Sequence, residues 1–297
     1  MTRPRFLVSA IVIVGIGAAA PAHAGSDLPG CSEPTPARGT YHRLTFPGTI
    51  EIVPSAINDK ETIVGSLRDA DDQAVHGFVY RHGRLRLIDV PGSSTTNAKD
   101  INDAGTIVGR FDGHGFILRR GALTTIDAPG SFATSVQAVN NSNVIGGLGL
   151  EPNDSDGLNV GFVRSPDGSF ERIVPPGSDS SLVADVDDRG TLLVNASFGQ
   201  VLRIDGQYEP IQPCHPLDFV ERLATVSKHL AFVGATTDAA NMERGMLRTN
   251  TRFETFLYPG SIDTVLLDVN DQGTAIGIAI VPDVGQIAFV FVPRKQR

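Results

Sequence analysis

The fold is decided by one stretch, residues 98–109, which reads Ala98-Lys99-Asp100-Ile101-Asn102-Asp103-Ala104-Gly105-Thr106-Ile107-Val108-Gly109. Its turn pair begins eleven residues after the proline of a Pro-Gly pair, and this arrangement occurs five times: Asn58-Asp59, Asn102-Asp103, Asn140-Asn141, Asp187-Asp188 and Asn270-Asp271. With a degenerate pair at Pro213-Cys214, the prolines are spaced by 44, 38, 47, 37 and 46 residues. A period of this length, found six times, indicates six structural repeats.

Each repeat contains short apolar runs rich in Val, Ile, Leu and Phe, separated by turn residues. In the second repeat, Ile107-Val108-Gly109 follows the turn, another run begins at His114, and a last one spans Leu123–Ala128. Runs of four to six residues fit strands and not helices. Four-stranded units about every 40 residues are typical of propeller blades. The prediction is therefore an all-β fold, a six-bladed β-propeller with four antiparallel strands per blade.

The two ends of the repeat region predict how the ring closes. The last repeat ends after its third strand, near Pro293, whereas Tyr41–Phe46 has the pattern of a fourth strand. If Tyr41–Phe46 completes the last blade, no sheet edge is left open between the first and last blades. The predicted organisation is a signal peptide at 1–24, an N-terminal extension at 25–40 and the propeller at 41–297.

The motif at 98–109, with His114-Gly115-Phe116 and Ile126-Asp127-Ala128-Pro129-Gly130, resembles the HAF family of extracellular repeats. The resemblance covers Tyr41 to about Pro293 and is weak from Leu192 to Arg248. It implies export and a β-propeller-like fold. It implies no established activity, so it assigns a role to no residue of this chain.

The N-terminus and the composition bound the location and the partners. A basic start, an apolar run at Phe6–Ala20 and the small residues Ala22 and Ala24 predict a cleaved signal peptide, and hence an extracellular or periplasmic protein without a membrane span. The net charge of −8 argues against nucleic-acid partners and anionic membrane surfaces. In an oxidising compartment Cys31 and Cys214 predict one disulfide, with two unpaired thiols as the alternative.

Three acids occupy equivalent positions in the first strands of their repeats. Asp100, Asp185 and Asp268 each stand two residues before the turn pair, which places them near the propeller axis, with Lys99 as a neighbour. Converging carboxylates could coordinate a cation or serve as acid and base. The alternative is that they form hydrogen-bond links between blades. We expect the turn acids on the face opposite to the loops between second and third strands, as structural residues: Asp59, Asp103, Asp188 and Asp271.

A second set of candidates lies on the loops between second and third strands. The first loop holds Arg68, Asp69 and Asp71, and the third holds Asp154 and Asp156. Clustered hard oxygens predict a calcium site, although neither loop has a complete calcium motif, and solvated acidic loops are the alternative. His76 and His114 share one repeat position, which predicts either a metal or acid–base pair or a residue that satisfies a strand end.

The motifs that would assign an enzyme class are missing from the sequence. It contains no Gly-x-Ser-x-Gly, no His-Glu-x-x-His and no phosphate loop. The absence of Trp, with four Tyr, disfavours a glycan site built on stacking. We therefore predict an exported binding or scaffold module for a small molecule, glycan or protein. The alternative is a metal-dependent hydrolase, lactonase or lyase with its site at the channel mouth.

Overall fold

The computed structural model describes residues 34–71, 74–152, 157–211, 222–226, 232–237, 242–249 and 252–294. These residues form 25 β-strands. Within them, no helix has the length and hydrophobicity that crossing a bilayer requires. The predicted signal peptide, residues 1–24, lies outside the described residues.

The strands form six sheets, and each sheet contains a four-stranded antiparallel blade. Blades 1 to 3 consist of β3 (Thr49–Ile57), β4 (Ile63–Asp69), β5 (Val75–Arg81), β6 (Arg84–Ile88); β7 (Thr96–Ile101), β8 (Ile107–Phe111), β9 (His114–Arg119), β10 (Ala122–Ile126); β11 (Ala133–Val139), β12 (Ile145–Glu151), β13 (Leu158–Arg164), β14 (Phe170–Ile173). Blades 4 and 5 consist of β15 (Ser181–Val186), β16 (Leu192–Ala196), β17 (Gly199–Ile204), β18 (Gln207–Pro210); β19 (Arg222–Val226), β20 (Phe232–Thr237), β21 (Glu243–Arg248), β22 (Phe253–Phe256). Blade 6 consists of β23 (Asp263–Val269), β24 (Ala275–Val281), β25 (Gly285–Pro293) and the N-terminal β2 (Gly39–Leu44).

The ring closes in the predicted way. Strand β2 pairs antiparallel with β25, from Gly39 opposite Pro293 to Leu44 opposite Ala288, and so completes blade 6. The second strand of each blade packs against the first strand of the next, and this includes the contact of β24 with β3 that joins blade 6 to blade 1. The predicted six-bladed β-propeller is confirmed. The closing strand begins at Gly39, two residues before the predicted Tyr41.

The N-terminal extension contributes a strand that the repeat pattern did not predict. Strand β1 (Thr35–Pro36) pairs in parallel with β22, so that Thr35 lies opposite Glu254 and Pro36 opposite Thr255. The backbone N–H of Ala37 also donates to the carbonyl of Thr255 at 2.9 Å. The end of the extension is thereby held on the outer edge of blade 5.

The hydrophobic core is divided among the blade interfaces. Six clusters of buried side chains each combine residues of two consecutive blades. Phe78 and Phe116, which follow a glycine in their third strands, and the equivalent Phe289 are among the largest fully buried side chains. Burial of such a side chain stabilises the fold by roughly 1.5–3 kcal/mol.

The glycine of the Ile-Val-Gly motif is required by a close approach between strands. A Cβ atom at Gly109 would lie 2.0 Å from the carbonyl oxygen of Asn97 and 2.8 Å from the ring of Phe116. The adjacent first strand has a register shift between Ala98 and Asp100, that is, a β-bulge. The same shift occurs in the first strand of all six blades.

The Asn-Asp turn pair forms hydrogen bonds from one blade to the next, which explains why the pair recurs. The side-chain amide of Asn102 donates to the carbonyl of Asn140 at 3.0 Å, while the N–H of Asp103 donates to Oδ1 of Asn141 at 2.8 Å. Equivalent pairs of bonds join blade 1 to blade 2, blade 3 to blade 4 and blade 6 to blade 1. We call this chain of contacts the turn ring.

Candidate functional site

The three first-strand acids meet on the channel at the end where the turn ring lies. Asp100, Asp185 and Asp268 line a cavity of about 120 Å³ together with the turn pairs. They belong to blades 2, 4 and 6, whereas the equivalent residues of blades 1, 3 and 5 are Ala56, Ala138 and Thr225. We call the three carboxylates the acid ring.

Two carboxylates of the acid ring, those of Asp100 and Asp268, accept hydrogen bonds from two blades and so join them. Asp100 accepts from the N–H of Ile101 at 2.7 Å through Oδ1, and from the N–H of Val139 in the next blade at 2.6 Å through Oδ2. Asp268 binds its own neighbour Val269 at 2.8 Å and Ile57 of blade 1 at 2.7 Å. Asp185 accepts from Val186 at 2.8 Å.

The acid ring is electrostatically strained. Burial away from water raises the pKa of Asp100 to about 7, and the neighbouring charge of Asp185 adds to the rise. Burial likewise raises the pKa of Asp268 well above its usual value, with further contributions from Asp100 and Asp185. Like charges at one site disfavour simultaneous ionisation. Near neutral pH, the acid ring therefore holds protons that isolated aspartates would lose.

The turn acids lie at the end of the channel opposite to the loops between second and third strands, as the sequence predicted. Asp59, Asp103, Asp188 and Asp271 line the same cavity as the acid ring. A first strand runs toward its turn, so the acid ring, two positions before each turn pair, lies at the same end of the channel as the turn acids. Consequently the acid ring and the loops between second and third strands occupy opposite ends of the propeller.

The acid ring does not fit a metal centre as it stands. Both carboxylate oxygens of Asp100 and of Asp268 already accept backbone N–H groups. Among the residues that the structure describes, no three His, Cys, Asp or Glu side chains are placed to hold a metal ion. The contacts assign the acid ring a hydrogen-bonding role between blades.

A larger cavity lies at the loop end, between blades 1 and 2. Its volume is about 350 Å³, and it is lined by Glu51, Val53, Ser66, Leu67, Arg68, Val75, Thr95, Asn97, Arg110, Asp112 and Gly113. Residues at equivalent positions of the two blades contribute to it, since Val53 pairs with Ser66 and Asn97 pairs with Arg110. We call it the loop-end cavity. A concave site of this size suits a small ligand.

Both acids of the loop-end cavity are engaged with neighbouring groups. Asp112 accepts from the hydroxyl of Thr95 at 2.8 Å and from the N–H of Ser94 at 3.2 Å, and these bonds lower the pKa of its carboxyl. Glu51 lies 3.9 Å from Nε of Arg68. Arg110, in contrast, forms no ion pair within the described part of the chain, and its side chain is exposed. Its guanidinium is therefore available to an anionic ligand.

Along β7, Lys99 lies between Asn97, which lines the loop-end cavity, and Asp100, which belongs to the acid ring. It is the extra residue of the bulge between Ala98 and Asp100. Burial, together with the charge of Arg110, lowers the pKa of its ammonium group to about 8. Of the predicted binding residues, Arg68 lines the loop-end cavity, whereas Lys99 does not. Asp100, Asp185 and Asp268 are not part of it.

The predicted histidine pair is not brought together. Nδ1 of His76 lies 2.8 Å from Oδ1 of Asp89, and Nδ1 of His114 lies 2.9 Å from Oδ1 of Asp127. Each histidine thus contacts an aspartate at the end of the fourth strand of its own blade. This repeated contact accounts for the shared sequence position.

The structure describes only some of the residues that were predicted to bind calcium or to form the disulfide. Asp69 pairs with Thr49 at the end of β4, and Asp71 is exposed just beyond it. Asp154 and Asp156, together with Cys31 and Cys214, lie outside the described residues. The calcium site and the disulfide therefore stay predictions.

The sequence analysis missed Arg110 as a site residue, although a signal for it exists. The equivalent second-strand residues of other blades are Ser66, Leu148, Asn195, Ala235 and Ile278. None of these carries a charge, so Arg110 departs from the repeat at a position that faces the loop-end cavity. A comparison of the repeats at channel-facing positions would have found it.

Comparison with known proteins supports the fold and assigns no function. No family model matches the chain, so the resemblance to the HAF repeats stays a prediction, and no curated protein matches. Among solved structures, one similar chain is a protein proposed to be a gluconolactonase. It has a TM-score of 0.53 at 11% identity, over 88% of this chain and 96% of that one. A gluconolactonase from Xanthomonas campestris gives 0.47 at 12% identity, over 89% and 98%. Likeness at this identity supports the propeller fold alone.

Proposed function

We propose that this protein is an exported binding propeller that takes a small anionic ligand in the loop-end cavity. The observation that carries the proposal is Arg110, a guanidinium that faces the cavity without a carboxylate partner in the described part of the chain. A guanidinium binds a carboxylate or phosphate through two parallel hydrogen bonds. Asp112 is held by Thr95 and Ser94, and Glu51 lies beside Arg68, so within the described residues neither acid forms an ion pair with Arg110 and its guanidinium can bind an anion.

The variant Arg110→Ser tests this proposal, because serine is the residue that blade 1 carries at the equivalent position, Ser66. The melting temperature of the purified protein is measured with millimolar acetate, succinate and phosphate at constant ionic strength. A ligand at 100 times its dissociation constant raises the free energy of unfolding by about 2.7 kcal/mol. We expect at least one anion to stabilise the wild type and to lose that effect in Arg110→Ser.

The matched control is Arg84→Ser, which removes the same charge from the outer strand of blade 1, where Arg84 is exposed. It should bind anions as the wild type does. Equal losses in both variants would mean that the anions respond to net charge, and no shift with any anion would overturn the proposal.

A metal-dependent lactonase, hydrolase or lyase is the second candidate, and it has less support. It rests on the fold likeness to a protein proposed to be a gluconolactonase and on the grouping of Asp100, Asp185 and Asp268. The engaged oxygens of the acid ring speak against it. The test is hydrolysis of gluconolactone with calcium, with zinc and with EDTA. We expect no turnover above the buffer rate, and metal-dependent turnover would replace the binding proposal.

A further inference from the structure

A groove lies between the outer hairpins of blades 1 and 2, and its volume is about 1260 Å³. Arg81, Arg84 and Arg86 line it on the blade 1 side, and Arg120 lines it on the blade 2 side. All four side chains are exposed, and none forms an ion pair within the described part of the chain. We call it the basic groove.

The two acids that line the basic groove are engaged with other groups. Oδ1 of Asp89 lies 2.8 Å from Nδ1 of His76, and Oδ1 of Asp103 accepts from the N–H of Asp59 at 2.9 Å. Lys60 adds a further cation, whose ammonium group donates to the carbonyl of Asp103 at 2.7 Å. The groove therefore carries an excess of positive charge on a chain whose net charge is −8. Such a patch attracts an anionic partner.

Arg86 departs from the repeat in the sign of its charge. By the register of the third and fourth strands, the equivalent residues of the other blades are Thr124, Glu171, Glu209, Glu254 and His42. Blades 3, 4 and 5 thus place a carboxylate at the position where blade 1 places a guanidinium. The propeller fold does not require an arginine there.

The corresponding place between blades 3 and 4 is occupied by an ion pair. There Nη2 of Arg203 lies 2.6 Å from Oε1 of Glu171. The residue of blade 2 that is equivalent to Arg203 is Leu118, since each pairs with the first residue of the second strand of its blade. Between blades 1 and 2, the residue across the groove from Arg86 is therefore a leucine, and the guanidinium is left for a partner from outside.

The outer edge of β6 is open to another strand. In the described structure β6 pairs only with β5. Arg81 and Arg84 flank the tight turn of this hairpin and exchange hydrogen bonds, so the N–H groups of Leu85 and Leu87 point away from β5. Blade 5 shows that the fold accepts a fifth strand at this edge, because β1 adds to the corresponding edge of β22.

We propose that the basic groove binds an extended acidic peptide, which adds to β6 as a fifth strand of blade 1. Alternate side chains of a strand share one face about 7 Å apart, so acids at every second position of the peptide match Arg84 and Arg86. Main-chain hydrogen bonds along the edge favour a peptide over a glycan. The like charges of two β6 edges oppose pairing of two copies of this protein. This site is separate from the loop-end cavity and does not depend on the proposed function.

The test uses a capped peptide in which glutamate alternates with threonine, and the same peptide with glutamine in place of glutamate. Dissociation constants for the purified protein are measured by calorimetry at pH 7 and constant ionic strength. The glutamate peptide should bind roughly 10-fold or more tightly than the glutamine peptide. Its binding should also slow hydrogen exchange at the N–H groups of Leu85 and Leu87, which contact between side chains alone would not do.

The variant Arg86→Glu removes the site with a residue that blades 3, 4 and 5 accommodate. It should weaken binding of the glutamate peptide roughly 10-fold or more, because a like charge replaces the partner of a carboxylate. Arg86→Thr, which copies blade 2, should weaken it less. The matched control is Arg119→Glu, the same change of charge at an exposed residue of the neighbouring hairpin that does not line the groove. It should bind the peptide as the wild type does.

Two further variants separate the basic groove from the loop-end cavity. Arg84→Ser should weaken binding of the peptide and leave binding of acetate, succinate and phosphate unchanged, whereas Arg110→Ser should do the reverse. Equal affinity for the two peptides, or equal losses in Arg86→Glu and Arg119→Glu, would overturn the inference. Unchanged hydrogen exchange at Leu85 and Leu87 in the peptide complex would do the same. If the acidic peptide does not bind, the inference fails, and binding of polygalacturonate in its place would assign the groove to an acidic glycan. The proposed function stands in each of these cases.

Discussion

The two ends of the channel are built on opposite principles. At the turn end, residues shared by the repeats form the turn ring and the acid ring, and their polar groups are used in bonds between blades. At the loop end, Arg110 differs from its counterparts in the other blades and has no acidic partner among the residues that the structure describes. In a repeat protein, what the repeats share holds the ring together, and what departs from them marks a candidate site.

Loss of one acid-ring residue gives the largest effect we expect. Asp100→Ala leaves the N–H groups of Ile101 and Val139 without their acceptor. At pH 5 the free energy of unfolding should fall by about 2–4 kcal/mol, because each unsatisfied buried N–H costs about 1–3 kcal/mol. Urea unfolding measures it. Gln137→Ala, which removes a neighbouring bulge side chain, is the control and should cost less than about 1 kcal/mol. Equal values would mean that the acid ring does not join the blades.

The acid ring also predicts how stability depends on pH. The folded-state pKa of Asp100, about 7, is raised above its ordinary value of 3.8. A raised carboxyl pKa stabilises the fold fully below pH 3.8, and this contribution is lost as the pH rises toward 7. The melting temperature should therefore decrease from pH 4 to pH 7 and decrease less in Asp100→Ala. Parallel curves for the two proteins would contradict the strained acid ring.

The hydrogen bonds of the turn ring should become stronger or weaker when one side-chain atom is exchanged, which is the difference between Asn and Asp. In blade 4 the amide donor is replaced by Asp187, whose Oδ2 is buried without a hydrogen-bond partner. Asp187→Asn should raise the free energy of unfolding by about 0.5–1 kcal/mol. The converse change, Asn102→Asp, removes the donor to Asn140 and should lower it by about 1–2 kcal/mol. Effects of the same sign in a thermal scan would contradict the proposed role of the pair.

Removal of the Lys99 charge should have the smallest effect on the free energy of unfolding. It should raise this free energy, whereas loss of an acid-ring residue lowers it. Lys99→Gln deletes a desolvated cation and should stabilise the ligand-free protein by at most about 1 kcal/mol. Thermal unfolding without added anions checks this. A loss of stability would show that Lys99 supports the fold.

The repeat made the fold predictable, because the same turn pair and the same apolar runs return in blade after blade. The closing strand was predicted by the same means, as Tyr41–Phe46 has the pattern of a fourth strand. The parallel pairing of Thr35–Pro36 follows no repeat and could not be predicted. At the site, the sequence named Lys99 and Arg68. It could not show that Asp112 is engaged by Thr95, which leaves Arg110 available.

The pairing of β2 with β25 also constrains the order in which the protein can assemble. Leu44 and Ala288 are partners although 244 residues separate them, so this blade depends on the least local contact of the fold. Closing so long a loop is slow, and such contacts form late. Five blades can pair their own strands as they become available, whereas β2 stays without its partner until β25 has formed. Joining of the two termini would then be the last folding step, and an incomplete chain would expose an unpaired edge.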